Sequence, residues 1–159
     1  MPATQPRVLV RLIHSDSPEA TRAIAAALAS VARPGDLIAL HGELGAGKTQ
    51  FAKGFGQGLG VTATINSPSY VLMAEYEGRL PLFHLDLYRL DDATDALDGG
   101  LLDERQAAGV TLVEWAERLG PALPADRLDI EFTGSADEPR TLQLTATEAG
   151  LERYVAAIS

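Results

Sequence analysis

Apolar and polar positions along this chain fall into two periods. Residues 8–13 read as a first strand. The run Asp36-Leu37-Ile38-Ala39-Leu40-His41, entered from the Pro34-Gly35 turn, predicts a short buried strand. Between them, Ser17-Pro18-Glu19 marks a helix start. Serine can cap, proline fits the first helical position, and glutamate complements the helix dipole. Ile24, Ala25, Leu28 and Val31 continue an apolar stripe, and Phe51, Ala52, Phe55 and Leu59 form a second over residues 48–58. Gly56-Gln57-Gly58-Leu59-Gly60 then ends that helix with glycines that tolerate positive φ.

Residues 62–69 read as a loop. Residues 70–76 and 80–87 read as two strands joined around Glu77-Gly78-Arg79, a hairpin. Residues 91–108 are helical in flavour, with a break at Gly99-Gly100, and the apolar, β-branched run 110–113 predicts a buried strand. Gly120-Pro121 and Pro124 mark a loop. Residues 128–132 and 141–145 alternate as exposed or edge strands across the polar turn 134–139, and residues 148–158 close with a short helix. A hairpin within an otherwise alternating strand–helix order implies a mixed sheet.

Between the second strand and the second helix lies Gly42-Glu43-Leu44-Gly45-Ala46-Gly47-Lys48-Thr49, which fits the phosphate-loop pattern G-x-x-x-x-G-K-[ST]. Small residues let successive backbone N–H groups converge on phosphate oxygens, and the following helix opens with unpaired donors and a partial positive charge. Lys48 can reach terminal phosphates, and the Thr49 hydroxyl can ligate Mg²⁺. Strand, glycine loop and helix is the context the motif needs. The pattern therefore predicts a P-loop NTPase-like, three-layer α/β fold with a mixed, mainly parallel sheet and a β-hairpin insertion.

Composition narrows the partners. The 159 residues suit one domain, and 46% hydrophobic content suits a globular core with no run long enough to span a membrane. No secretory signal is visible, and the absence of cysteine excludes disulfides and thiolate metal sites, in keeping with a cytoplasmic protein. The formal charge is −9, and Lys48 and Lys53 are the only lysines. Such a chain is a poor independent binder of nucleic acid, so a role on RNA would go through a protein partner.

A phosphate loop needs acids near its metal. Asp86, toward the end of an apolar strand, fits a Walker-B acid or a solvated strand end. Glu114 follows Thr111-Leu112-Val113. It would reach the crevice only if its strand neighbours the phosphate-loop strand. The hydroxyls of Ser67-Pro68-Ser69 could report a γ-phosphate or could be ordinary turn chemistry. Trp115, the only tryptophan, reads as a packing residue. His14, His41 and His84 lack metal-ligand spacing, but His84 shares a strand face with Asp86 and could orient it.

Taken in order, GELGAGKTQFAKGFGQGLG, SPSYVLMAEY, FHLDLYRL and LVEWAERL resemble the TsaE family, bacterial ATPases of tRNA threonylcarbamoyladenosine biosynthesis. The resemblance spans about residues 15–128. It implies that Lys48 binds phosphate, that Thr49 and Glu114 hold Mg²⁺, and that Asp86 is the acid required for hydrolysis, while Asp86 joins the metal candidates through its Walker-B-like place. Lys48, Asp86 and Glu114 are thus the catalytic candidates. Glu43, Leu44, Gly45, Ala46, Gly47, Lys48, Thr49 and Gln50 are the ATP-binding candidates, joined by Ser17 and Arg140 on the flanks. Ser67 and Ser69 belong to a switch-like loop. The resemblance further implies ATP, ADP and Mg²⁺ as ligands and docking on a TsaB–TsaD complex, with tRNA met only through it. This chain carries Ser69 and Glu43 where relatives commonly have threonine and aspartate, so hydroxyl and charge are kept. A small-molecule P-loop kinase is the alternative, but residues 91–109 are acidic and hold only Arg105 as a lid arginine.

Overall fold

One seven-stranded sheet organises the chain, in the order β1-β7-β6-β2-β5-β4-β3. The strands are β1 (Leu9–Ser15), β2 (Leu37–His41), β3 (Met73–Tyr76), β4 (Leu82–Asp86), β5 (Val110–Glu114), β6 (Leu128–Thr133) and β7 (Arg140–Ala146). The helices are α1 (Pro18–Ala29), α2 (Lys48–Gly58) and α3 (Glu152–Ala156). The structure is a computed structural model and describes residues 9–42, 47–65, 73–87, 104–124, 126–134, 139–146 and 151–157.

The strands β6, β2, β5 and β4 pair in parallel, whereas β7 and β3 run against their neighbours. The sheet is therefore mixed, with a parallel centre, and the β3–β4 pair is the expected hairpin. Strand residues alternate between two cores. Ile38, Leu40, Leu82, Leu112, Ile130 and Leu144 meet Leu28, Phe51, Phe55 and Tyr154 of the helices. On the opposite face Ala39, Phe83, Leu85 and Val113 meet Ala116 and Leu119 from a 3₁₀ turn over Ala116–Ala122. Helices, sheet and this turn make the three layers.

Local signals set several element starts. The Ser17 hydroxyl accepts a hydrogen bond from the Ala20 N–H at 3.0 Å, capping α1 as its sequence predicts. Three expectations are corrected. Strands β6 and β7 are interior, and among the described residues the sheet edges are β1 and β3. Their alternation reflects cover on one face only: Leu128, Ile130 and Phe132 are buried, while Glu131 and Gln143 face solvent. Gly56 and Gly58 do not take positive φ; both lie inside α2, and only Gly60 (φ 80°) is left-handed. They serve close packing, since a Cβ at Gly58 would fall 2.7 Å from Ala26 O. Glu104–Ala108 is a 3₁₀ turn, not the tail of an α-helix. The Gly109 N–H closes it onto Gln106 O and delivers the chain to β5. Residues 66–72, 88–103 and 147–150, within the predicted loop, hairpin strands and helices, lie outside the described residues.

Candidate active site

The carboxyl ends of β2, β5 and β4 lie side by side. Leu40 is in register with Glu114, and Glu114 with Asp86. The strand bearing Glu114 is thus the neighbour of the strand that precedes the glycine loop, as the candidate acid requires. In open α/β sheets this edge is where ligands sit.

Two glycines frame the loop. Gly42 has φ 138° and Gly47 φ 104°, conformations that favour glycine. Gly47 caps α2, whose first hydrogen bond runs from the Phe51 N–H to Gly47 O at 3.0 Å. Among the described residues no side chain caps the helix, and the first N–H groups of a helix have no partner within it. Glu43, Leu44, Gly45 and Ala46 lie outside the described residues, as do Ser67 and Ser69.

Lys48 begins α2, yet it is only 4% exposed. Its Nζ donates to Gly42 O at 2.8 Å and lies 4.2 Å from the centre of the Trp115 ring. Burial pushes the ammonium below its ordinary pKa, while the carboxylates of Glu114, Glu117 and Asp86 favour its charged form. Three acids from separate chain positions thus act on one buried cation. Thr49, in the same first turn, is half-buried.

Glu114 is buried too, and its Oε2 lies 2.6 Å from His84 Nε2. The imidazole thus meets Glu114 and not Asp86, the carboxylate that its strand face allowed it to orient. His84 and Asp86 do share a face of β4, but the parallel register sets Leu112 opposite His84, and the imidazole reaches diagonally to Glu114. Trp115 follows in the left-handed region at φ 58°, the one such non-glycine among the described residues. Backbone strain of this kind costs about 1–3 kcal/mol and collects at functional sites. The turn sets the indole over Lys48 while the residue also packs on the core that holds Val113, Ala116 and Leu119. Nothing in the sequence signals that turn.

The flanking candidates converge on the same end of the sheet. Arg140 opens β7 opposite Ser15, and its Nε would lie 3.7 Å from a methyl placed on Gly47. Ser17 lies two residues beyond Ser15, with its hydroxyl committed to capping α1. The Gln50 amide oxygen accepts from Arg22 Nη1 at 2.5 Å, so this side chain faces α1. His41 pairs with Asp129 at 2.8 Å.

The donors Thr49, Asp86 and Glu114 are all oxygen. That set suits Mg²⁺, which takes one or two carboxylates plus phosphate and water oxygens in place of an all-protein cage. Among the described residues no three His, Cys, Asp or Glu side chains cluster as a metal site.

A parallel sheet centre, a glycine-framed turn into a helix bearing a buried lysine, and acids ending the next two strands define a P-loop NTPase-like α/β protein. The family described as "Threonylcarbamoyl adenosine biosynthesis protein TsaE" matches residues 15–142. Similar chains include the tRNA threonylcarbamoyladenosine biosynthesis protein TsaE of Bacillus subtilis (strain 168), 46% identical, with 82% of each chain covered. The protein of that name from Streptomyces coelicolor is 39% identical over 82% of this chain and 90% of its own. Among solved structures, Bacillus subtilis YdiB superposes with a TM-score of 0.79 at 37% identity, covering 94% of both chains. This chain belongs to the TsaE family of tRNA threonylcarbamoyladenosine biosynthesis.

Proposed function

We propose that residues 1–159 form a single P-loop ATPase domain. It hydrolyses ATP to ADP and phosphate with Mg²⁺, slowly alone and faster when docked on a TsaB–TsaD-type complex, whose tRNA-modifying turnover it supports. The observation that carries this reading is the buried Lys48 ammonium, held between Gly42 O and Trp115 with Asp86 and Glu114 nearby. A cation so placed, at the start of a helix with free N–H groups, is poised to exchange one carbonyl for phosphate oxygens.

In this reading Lys48 and the backbone N–H groups of residues 43–49 bind the phosphates and stabilise charge developing there. Thr49, Asp86 and Glu114 would hold Mg²⁺, which when bound neutralises charge on the phosphate oxygens. Trp115 shields the lysine from water and keeps it aimed along the loop. Ser69 and Ser67 would sense the γ-phosphate, and Ser17 and Arg140 would flank the nucleotide. Asp86 is followed in the chain by Leu87 and not by a glutamate base, and low intrinsic turnover follows. The −9 charge favours reaching tRNA through a protein complex, and a cysteine-free chain suits the cytoplasm. No described helix is long and apolar enough to cross a membrane.

Phosphate release measured while titrating a TsaB–TsaD-type complex tests the proposal. Stimulated release without any phosphorylated acceptor supports it and separates it from a small-molecule kinase. Absence of turnover at saturating complex, ATP and Mg²⁺ would overturn it. A pull-down of that complex, with and without ATP, tests docking separately.

A further inference from the structure

His84 is completely buried on β4. Its Nε2 meets Glu114 Oε2, and its Nδ1 has no hydrogen-bond partner among the described residues. Burying a polar ring with one nitrogen unpaired is unfavourable beside an apolar side chain of similar shape. The neighbouring positions on that face, Leu82 two residues before and Leu112 opposite, are filled by leucine. Packing alone therefore does not call for imidazole here; what imidazole adds is one hydrogen bond to one carboxylate.

We propose that His84 is a positioning residue that fixes the orientation of Glu114 for the divalent cation. The proposal rests on the nucleotide reading above. By engaging Oε2, His84 leaves Oε1 as the oxygen open to a cation. It also restrains the carboxylate from swinging onto Lys48, whose ammonium lies within its electrostatic reach. Both effects keep the acid for the metal and the lysine for phosphate. Partners that orient a metal's ligands in this way commonly matter about 10–100-fold in metal affinity.

The test uses the full chain and Mn²⁺ as a paramagnetic probe. Free Mn²⁺ is followed by electron paramagnetic resonance in the presence of saturating ADP, and ADP affinity is measured by calorimetry in EDTA. His84→Phe removes the donor and keeps the bulk. In His84→Gln the amide nitrogen falls near the imidazole Nε2 position, whereas in His84→Asn it reaches only the Nδ1 position. His84→Phe and His84→Asn should lose about 10–100-fold in Mn²⁺ affinity, and His84→Gln should stay within about threefold of the natural chain. ADP affinity in EDTA should be unchanged in all three, which a merely structural role would not give. Should His84→Phe fail to fold, the Gln and Asn pair decides alone. Full Mn²⁺ affinity in His84→Asn, or equal losses in Gln and Asn, would overturn the positioning role. A natural chain that binds ADP with no linked Mn²⁺ would instead overturn the nucleotide reading beneath it.

Discussion

Replacing Gly54 by alanine tests how the candidate site is held in place. Gly54 and Gly58 are one turn apart on the face of α2 that rests on α1. A Cβ at Gly54 would stand 2.2 Å from Arg22 O and 2.5 Å from Arg22 Cα, distances that real Cβ atoms do not adopt. In an unobstructed helix alanine is favoured over glycine by about 1 kcal/mol. Overpacking costs about 1–3 kcal/mol, and the upper end applies because the obstructing atoms are backbone. The contact term wins, leaving Gly54→Ala about 2 kcal/mol less stable. At about 2–4 °C per kcal/mol for a chain this size, Tm should fall by about 4–8 °C. Gly58→Ala, with its nearest contacts at 2.7 Å, should fall less, and exposed Gln57→Ala should hold or rise slightly. Because α2 begins with Lys48 and Thr49, prising the helices apart by about 1 Å should also reduce turnover, by up to about 100-fold. Calorimetric melting of the three variants decides the matter. A Gly54→Ala chain as stable as the natural one would refute the close helix contact and the reasoning built on it.

Other outcomes follow from the same structure. Lys48→Ala should abolish nucleotide binding, whereas Asp86→Ala should keep it and lose stimulated hydrolysis. Calorimetry and phosphate release check the two halves. Tyr154→Phe removes the phenol that donates to Asp36 Oδ2 at 2.5 Å and helps clasp α3 to the start of β2. A hydrogen bond to a charged acceptor is worth about 2 kcal/mol, so Tm should drop by about 4–8 °C, and no drop would show the clasp is idle. The Asp129 hydrogen bond raises the His41 pKa above 6.5, and the nearby Glu117 adds to it. Burial opposes the Asp129 charge, but hydrogen bonds from His41 and Arg127 outweigh it and lower its pKa below 3.8. The His41 contribution is complete below about 6.5 and is lost as pH rises through its raised folded value. The Asp129 contribution is complete above about 3.8 and is lost as pH falls through its lowered one. The Tm advantage of the natural chain over Asp129→Asn should therefore peak between these limits and shrink toward pH 9. An advantage that stays constant from pH 5 to pH 9 would contradict the pairing.

Much of this was legible in the residues themselves. Ser17-Pro18-Glu19 starts α1 because capping and φ preference act over a single turn. The buried run before Gly42 and the stripe Phe51, Ala52, Phe55 and Leu59 report β2 and α2 because burial imposes its period locally. The glycine loop, with Lys48 and Thr49 behind it, suggests phosphate chemistry because its motif is complete within eight neighbouring residues. Less legible was the place of β6 and β7, since one-sided burial produces the same alternation in an interior strand and at an edge.

Sequence by itself determined most of the described strands and the helices α1 and α2, where the glycine-framed turn falls, and which acids are candidates. Those properties arise from interactions over a few neighbouring residues. Only the tertiary structure decided the order β6-β2-β5-β4, which sets Asp86 beside Glu114, and the choice of Glu114 as the partner of His84, 30 residues away. It also decided the left-handed turn that lays Trp115 over Lys48 and the use of Gly54 and Gly58 as a bearing surface for α1. These depend on which distant segments meet once the core closes, and no local periodicity encodes that meeting.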